Sequence, residues 1–459
     1  MPSRQDQLHS YQFTVQRAVA ALVMRETDPA QSPFRRLAGA GVASVLVAAI
    51  ALGGFALYGL FAGGGNKWRD PGAVIVEKES GARFVYRDGK LHPVLNYASA
   101  LLIIGAERSS TVLVSRRSIA GVPRGLPLGI ANAPDSLPAR GRLSTGPWTV
   151  CSVTRAQAGR SVPRSTVLIG RDADGGRSTG QDGVLVQHPD GGLHLIWGNR
   201  RHLLRDTSRV LAALATTRER AVPVAPALLN ALPAGADLAP LALPELGRHS
   251  TAVPGATVGD VYLVSNSGGG RQYAVVQPAG LAGITELQAA LLMARTGQGE
   301  PQPVTLGRFA ALPKVPDLVP AGPTAPPAVP PRLTGADGGL CVRVADAGEV
   351  DEVRVGADVP DLAGPVSGRG DAGVPADHVV VEPGRGAVVE SVAAPGATGG
   401  AVSVVTDLGR RYVLADAEVL RMLGYRDVRP VRLPAGLVDL VPAGSPLDPA
   451  AARAVTTPA

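Results

Sequence analysis

The longest unbroken apolar run lies near the start of the chain, where "SPFRRLAGAGVASVLVAAIALGGFALYGLFAGGGNKWRD" carries no charge between Arg36 and Lys67. Wound as a helix at 1.5 Å per residue, Leu37 to Ala62 is about 39 Å long, more than the ~30 Å hydrocarbon core of a bilayer. The run is apolar on every face, and Arg35, Arg36, Lys67 and Arg69 bracket it within reach of headgroups. A secretory signal has a shorter apolar region, of about 7 to 15 residues, behind a short basic start. We therefore read a permanent membrane span with ends at Leu37 and Ala62, in place of a cleaved leader or a buried core helix. Gly39, Gly41, Gly53, Gly54 and Gly59 offer a face for close packing on a partner helix, although glycine is common in spans generally.

Before the span the pattern changes to a helical period. In "SYQFTVQRAVAALVMRETDP", Tyr11, Val15, Val19, Leu22 and Val23 fall on one face, and Asp28-Pro29 is a stop. Residues 1–36 are thus expected to form a cytosolic amphipathic helix too short to bury its own stripe. Membrane surface, partner protein or a helical extension of the anchor would each cover it. We take a partner, docking on Tyr11, Val15, Val19 and Leu22.

After the span the pattern alternates, and it recurs. The copies read "AVIVEKESGARFVYRDGKLHPVLNYASALLIIG", "GVLVQHPDGGLHLIWGNRRHLLRDTSRVLAAL", "DVYLVSNSGGGRQYAVVQPAGLAGITELQAALL" and "AVSVVTDLGRRYVLADAEVLRMLG". Each opens with an apolar strand, turns at a glycine (Gly81, Gly191, Gly269, Gly409), returns as a strand and leads into a short helix. Each then closes on a proline that stops the helix: Val122-Pro123-Arg124-Gly125, Leu232-Pro233-Ala234-Gly235, Leu312-Pro313-Lys314-Val315 and Val441-Pro442-Ala443-Gly444. Modules this small must pack on neighbours to bury a core. The segments outside the copies are expected to meet as one central β-rich domain with repeats inserted between its halves. The divisions are then repeat 1 (72–138), central domain first half (141–180), repeat 2 (181–245), repeat 3 (257–322), a stiff Pro-rich linker (323–333), central domain second half (334–399), repeat 4 (400–444) and a loose tail (445–459). The fold class is a single-pass membrane protein: N-terminal amphipathic helix, one transmembrane helix, then an elongated α+β extracytoplasmic region of four strand-hairpin-helix repeats around that domain.

Composition narrows the function. With 45% hydrophobic but 4% aromatic residues, the core must be built from Val, Leu and Ala. The 57 glycines and 40 prolines ask for many turns without reaching the composition of a disordered chain. The net charge of +7 is scattered arginine with no aromatic platform beside it, which argues against nucleic-acid binding. Cys151 and Cys341 each lie in an apolar strand-like run and lack the spacing of a metal or redox site, so they form one disulfide if exported, or two buried thiols if not. Basic residues flank the span on both sides, so charge alone does not orient it. A disulfide would persist only outside the cytoplasm, which puts the C-terminal region there.

Chemistry-bearing motifs are sparse. The seven histidines show no HExxH pairing. "GRSTG" at Gly176 to Gly180 matches GxSxG, but it reads as a loop running into a strand where a nucleophile elbow needs a strand followed by a helix. Asp172 and Asp174 are a fragment of a calcium loop and are taken as a turn. Of four lysines, the one behind a glycine is Lys90, and Leu91 follows it where a phosphate-binding loop needs Ser or Thr. "RGD" at Arg369 to Asp371 reads as a solvated turn. No catalytic residue, cofactor or metal is expected.

Taken in order, "YQFTVQRAVAALVMRETDP", "GKLHPVLNYASALLIIG" with "VPRGLPLGIANAP", "WTVC" and "GRRYVLADAEVLRMLGY" make nearly the entire chain resemble EccB, component B of the type VII (ESX) secretion systems of mycobacterial type. The resemblance implies an inner-membrane subunit with its N-terminus cytoplasmic and four periplasmic repeats about a β domain, tied by a disulfide that maps onto Cys151 and Cys341. It implies a scaffolding role in the export channel, in a hetero-oligomer with the other core membrane components, including the FtsK/SpoIIIE-like motor ATPase, and with membrane lipid. Family members are sometimes described as ATPases. That activity is the alternative reading, with cell-wall binding by the repeats as a third.

Overall fold

The computed structural model describes residues 3–24, 33–62, 66–157, 159–266, 268–345, 348–361, 375–394 and 397–456. The chain opens with two helices, α1 (Arg4–Met24) and α2 (Pro33–Ala62). The Asp28-Pro29 stop expected between them lies outside the described residues, as does the RGD turn. From Ala73 the chain builds sheets. Strands β1 (Ala73–Glu77), β2 (Arg83–Arg87) and β3 (Lys90–Pro93) form an antiparallel meander; helix α3 (Tyr97–Ile104) then crosses back to β4 (Ser110–Val114), which lies parallel beside β1. The return turns at Gly81, whose φ of 72° suits a residue without a Cβ. Helix α3 starts because the Asn96 side chain accepts the Ser99 N–H at 3.0 Å, and it stops at Gly105 with φ 66°.

The same strand order appears three more times. The second sheet holds β8 (Val184–Gln187), β9 (Leu193–Trp197), β10 (Arg200–Leu203) and β11 (Val222–Pro223), with α4 (Thr207–Ala213) and α5 (Pro226–Ala231). The third holds β12 (Val261–Ser265), β13 (Arg271–Gln277), β14 (Gly280–Ile284) and β15 (Gln302–Val304), with α6 (Glu286–Thr296) and α7 (Leu306–Ala311). The fourth holds β19 (Ala387–Val392), β20 (Ala401–Val405), β21 (Arg411–Val413) and β22 (Val431–Pro434), with α8 (Glu418–Met422) and α9 (Ala435–Val438). Between them β5 (Trp148–Gln157), β6 (Arg160–Ile169), β7 (Asp174–Ser178), β16 (Gly339–Val344), β17 (Val350–Asp358) and β18 (His378–Val380) make one six-stranded sheet, ordered β18-β6-β5-β16-β17-β7.

Several expectations change. The strand-hairpin-strand-helix unit gains a short third strand and a fourth, parallel one, because the apolar run after the helix pairs with the opening strand. The fourth sheet begins at Ala387 and not at Ala401, so β19 leaves the stretch 334–399 expected for the central domain; it pairs with β20 and β22, and its Val388 and Val389 pack into two separate cores. "GRSTG" is partly strand: Asp174–Ser178 pairs with β17 at the sheet edge, fully exposed. The tail is not loose over 445–456. Helix α10 (Pro449–Ala452) packs on α3, Leu447 and Ala452 are completely buried, and the Thr456 N–H donates to the Pro127 carbonyl at 3.1 Å. The Pro-rich stretch 323–333 is bonded along its length, with the Leu287 N–H donating to Ala328 and the Gly183 N–H to Arg332.

Packing explains why modules this small hold. The first and fourth sheets share one core, in which Val74, Leu101 and Leu102 meet Val404, Tyr412, Leu420 and Tyr425. The second and third share another, where Leu195, Val210 and Leu211 meet Leu287 and Leu291 of α6. The central sheet joins the pairs, packing Trp148, Val150 and Val342 against Leu228 and Leu229 of α5 and Leu437 and Val438 of α9. Each sheet thus buries a face it could not bury alone.

One polar clamp pins β18 to β6. Asp377 accepts from Arg164 at 2.6 Å, from the Ser165 N–H at 2.8 Å and from the Ser165 hydroxyl at 2.9 Å. Burial pushes its carboxyl up, but the Ser165 N–H, the Arg164 guanidinium and the Ser165 hydroxyl outweigh that and hold it below the usual carboxylate value. A lowered folded pKa stabilises above the unfolded value of 3.8, and the gain disappears as pH falls through the folded one. Asp377→Asn is therefore expected to cost about 2 kcal/mol at neutral pH, with the gap to wild type closing in acid. Urea midpoints across pH check this, and a gap constant with pH would contradict it.

Candidate assembly surfaces

The two N-terminal helices present apolar surface that the chain itself does not cover. Along α1, Tyr11, Val15 and Leu22 are 70, 43 and 83% exposed and Val19 is half-buried. Val23 lies in the helix, outside the described side chains. Leu8, also exposed, extends the stripe by the spacing 3, 4, 4, 3 from residue 8 to residue 22, a signal the sequence carries one turn ahead of Tyr11. Helix α2 begins at Pro33, so Arg35 and Arg36 fall inside its first turn. Its apolar stretch Ala38–Ala56 has no buried residue, and Val45, Leu46, Ile50 and Phe55 are all exposed. It is the one helix among the described residues long and apolar enough to cross a membrane.

The residues that carried the family resemblance turn out to be joints of the framework. Asn96 donates through Nδ2 to the Ile130 carbonyl at 2.8 Å, and Ser99 Oγ accepts the Ile130 N–H at 2.9 Å, so "LNYAS" and "GIANAP" are one buried unit. The Tyr425 hydroxyl donates to the Pro138 carbonyl at 2.6 Å, and burial raises its pKa well above the ordinary value. Cys151 and Cys341 sit opposite each other on β5 and β16 and form a disulfide, S–S 2.04 Å, across 190 positions. It joins the two strands of the central sheet that come from the two halves of the chain.

The chemistry-bearing residues are not brought together. Ser178 stands on the exposed edge strand β7. Asp172 accepts from Arg343 at 3.2 Å and Asp174 from Arg171 at 3.3 Å, so both carboxylates are engaged by guanidinium groups. Lys90 opens β3 directly behind the two-residue turn Asp88-Gly89 and leads into a strand. His202 is completely buried, its Nδ1 2.8 Å from the Ala236 carbonyl, and burial depresses its pKa. A cleft of about 580 Å³ between the second sheet and the β16–β17 turn is lined by Asn199, Arg200, Asn230, Pro233, Glu349 and Pro434. No group of three or more His, Cys, Asp or Glu side chains among the described residues could hold a metal ion.

The chain is similar to known proteins along nearly its full length. Residues 1–457 match the family model described as Type VII secretion system ESX-1, transport TM domain B (EccB). The ESX-2 secretion system ATPase EccB2 of Mycobacterium tuberculosis (strain ATCC 25618 / H37Rv) is 32% identical over 412 residues, covering 82% of this chain and 80% of that protein. The ESX-3 secretion system ATPase EccB3 of Mycolicibacterium smegmatis (strain ATCC 700084 / mc(2)155) is 30% identical over 450 residues, covering 90% and 82%. Among solved structures, a chain of the intact ESX-5 inner membrane complex superposes with a TM-score of 0.68 at 28% identity, covering 100% of this chain and 96% of that one. The EccB3 dimer from the ESX-3 core complex gives 0.64 at 27%, covering 83% and 100%. The family match runs over nearly the full sequence, and the chain belongs to the EccB family of type VII (ESX) secretion.

Proposed function

We propose that this chain is a structural subunit of the inner-membrane core complex of a type VII secretion system, anchored by α2 and scaffolding the export channel. The observation that carries the reading is the full-length likeness to a chain of the ESX-5 inner membrane complex, from α1 to the C-terminal helix. In this reading the four four-stranded sheets are copies of one module that stand outside the cytoplasm around the central sheet, and α1 lies inside. The buried disulfide supports that orientation, because a cytosolic thiol pair would be kept reduced. The word ATPase stands in the relatives' names, and in this chain Lys90, the lysine behind a glycine, opens a strand and not a phosphate loop.

The stripe Leu8, Tyr11, Val15, Val19 and Leu22 is then the docking surface for another core component, with the FtsK/SpoIIIE-like motor as the partner. Each such side chain contributes roughly 1.5 to 3 kcal/mol when buried. Replacing Val15 and Leu22 with aspartate adds a desolvation cost of several kcal/mol to that loss. Val15→Asp with Leu22→Asp is expected to insert and fold, retain the disulfide, and fail to co-purify with the motor subunit in mild detergent. Recovery at wild-type stoichiometry would move the contact to another surface.

A further inference from the structure

The edges of the small sheets are closed in three cases and open in one. On the β3, β10, β14 and β21 side, each sheet is covered by its own closing segment through the parallel bridges Leu91–Arg124, Arg201–Ala234, Leu281–Lys314 and Arg411–Ala443. On the opposite side the edge strands β11, β15 and β22 each contain a proline, Pro223, Pro303 and Pro434, which blocks strand addition there. The first sheet has no such block. Its edge strand β4 reads Ser-Thr-Val-Leu-Val, a proline-free run rich in β-branched residues.

Register fixes which groups face outward. The Ser110 N–H donates to the Gly72 carbonyl at 3.2 Å, and the Val114 carbonyl accepts from Lys78 at 2.9 Å, so residues 110, 112 and 114 are turned toward β1. Thr111 and Leu113 turn their N–H and C=O groups away, and no backbone or side-chain partner meets them among the described residues. Both side chains are exposed, Leu113 by 59%, while Val114 is buried and Val112 packs beside it in the core with Trp68 and Ile75. Arg108 and Arg117 stand exposed at the two ends of the strand, with no ion pair among the described residues.

We propose that β4 is a docking edge that takes an extended strand from a partner protein, apolar at alternate positions and acidic at its ends. Main-chain bonds to Thr111 and Leu113 would give the affinity, the Leu113 side chain an apolar contact, and Arg108 and Arg117 the charge preference. A second copy fits less well: two-fold pairing about Val112 brings Arg108 of one copy to the end of the strand where the exposed Arg117 of the other stands, and like charges brought together repel. The proposal rests on the reading of the chain as an assembly subunit, and its test is chosen to separate the two.

The probe is the peptide acetyl-Glu-Val-Thr-Val-Thr-Val-Glu-amide, added to the full chain in detergent with amide hydrogen exchange as readout. The peptide is expected to slow exchange at Thr111 and Leu113, and its lysine-ended counterpart to bind more weakly at low salt. Leu113→Pro removes an outward donor without touching the bonds to β1, and should weaken the peptide on the order of tenfold or more. Equal binding to wild type and Leu113→Pro, or no binding to either, overturns the proposal. So does protection of these amides in the peptide-free chain that rises with its concentration, which would give the edge to a second copy. Should Leu113→Pro melt the first sheet, Leu113→Ser keeps the backbone and is expected to lose affinity through the apolar contact; unchanged affinity then counts against the idea. In cells making the whole complex, Leu113→Pro should be recovered with its partners about tenfold less than wild type, and equal recovery overturns the proposal. A wild-type chain that joins no complex would overturn the subunit reading while leaving the peptide result intact.

Discussion

Replacing Cys151 and Cys341 by alanine is expected to lower the stability of the central sheet by about 5 kcal/mol, the loop-closure term for a bridge this long. The bridge spans 190 positions, and the second and third sheets lie wholly within that interval. Without it the unfolded chain gains the freedom to separate 148–178 from 339–380, and the pairing of β5 with β16 must close that loop by itself. Both cysteines are buried, so alanine removes little else and introduces no polar group. A domain stabilised by 5 to 15 kcal/mol would lose a third or more of its margin. Urea unfolding followed through Trp148, which is buried in that same sheet, reads the change. An unchanged midpoint would show that strand pairing alone holds the halves together.

The parts of this fold that were legible in the sequence share a cause. A membrane span needs a long uncharged run, and a tight return needs a residue tolerant of positive φ. Gly81, Gly191, Gly269 and Gly409 take φ values of 72, 92, 80 and 67°, so their turns could be read one residue at a time. The two central strands with cysteines were visible as apolar runs outside the recurring pattern. Short pairings were not visible. Strand β21 has three residues and β3 and β10 four, too few for alternation to show, and they become strands because a closing segment lies along them. Strand β19 is not legible because eight positions separate Ala387–Val392 from its partner β20, where five separate the opening strands of the other sheets from theirs. The tail carried no periodicity at all. Leu447 and Ala452 look unremarkable in "SPLDPAAARAVTTPA" and are completely buried only because the first and fourth sheets, far apart in sequence, share a core.

The candidate surface divides in the same way. The α1 stripe is a periodic pattern and was legible, Leu8 included. The open edge at β4 is a property of which neighbour is absent, and no local pattern reports that. Only after the four sheets are set side by side does the missing proline in β4 acquire meaning.

The closing segments of the four sheets carry a stability prediction with a built-in control. In three sheets a glycine of the closing segment lies flat beneath a ring of the third strand: an ideal Cβ on Gly125 would come within 2.2 Å of His92, on Gly235 within 2.2 Å of His202, and on Gly444 within 2.3 Å of Tyr412. None of the three glycines has positive φ, so space and not backbone freedom demands them. The bridge register sets Ala282 and Val315 of the third sheet at the matching positions, a small side chain facing a larger one where the others have a ring facing none. Gly235→Val is therefore expected to cost about 3 kcal/mol by forcing the buried His202 ring out of place. His202→Ala alone should cost about 2 kcal/mol, leaving a cavity and losing the bond to Ala236. Together they recreate the Ala–Val pair of the third sheet, so the double variant should be more stable than the two costs summed by on the order of 2 kcal/mol. Urea midpoints of the four proteins close the cycle. Strictly additive costs would mean that ring and glycine do not compensate, and that the third sheet tolerates its pair for some other reason.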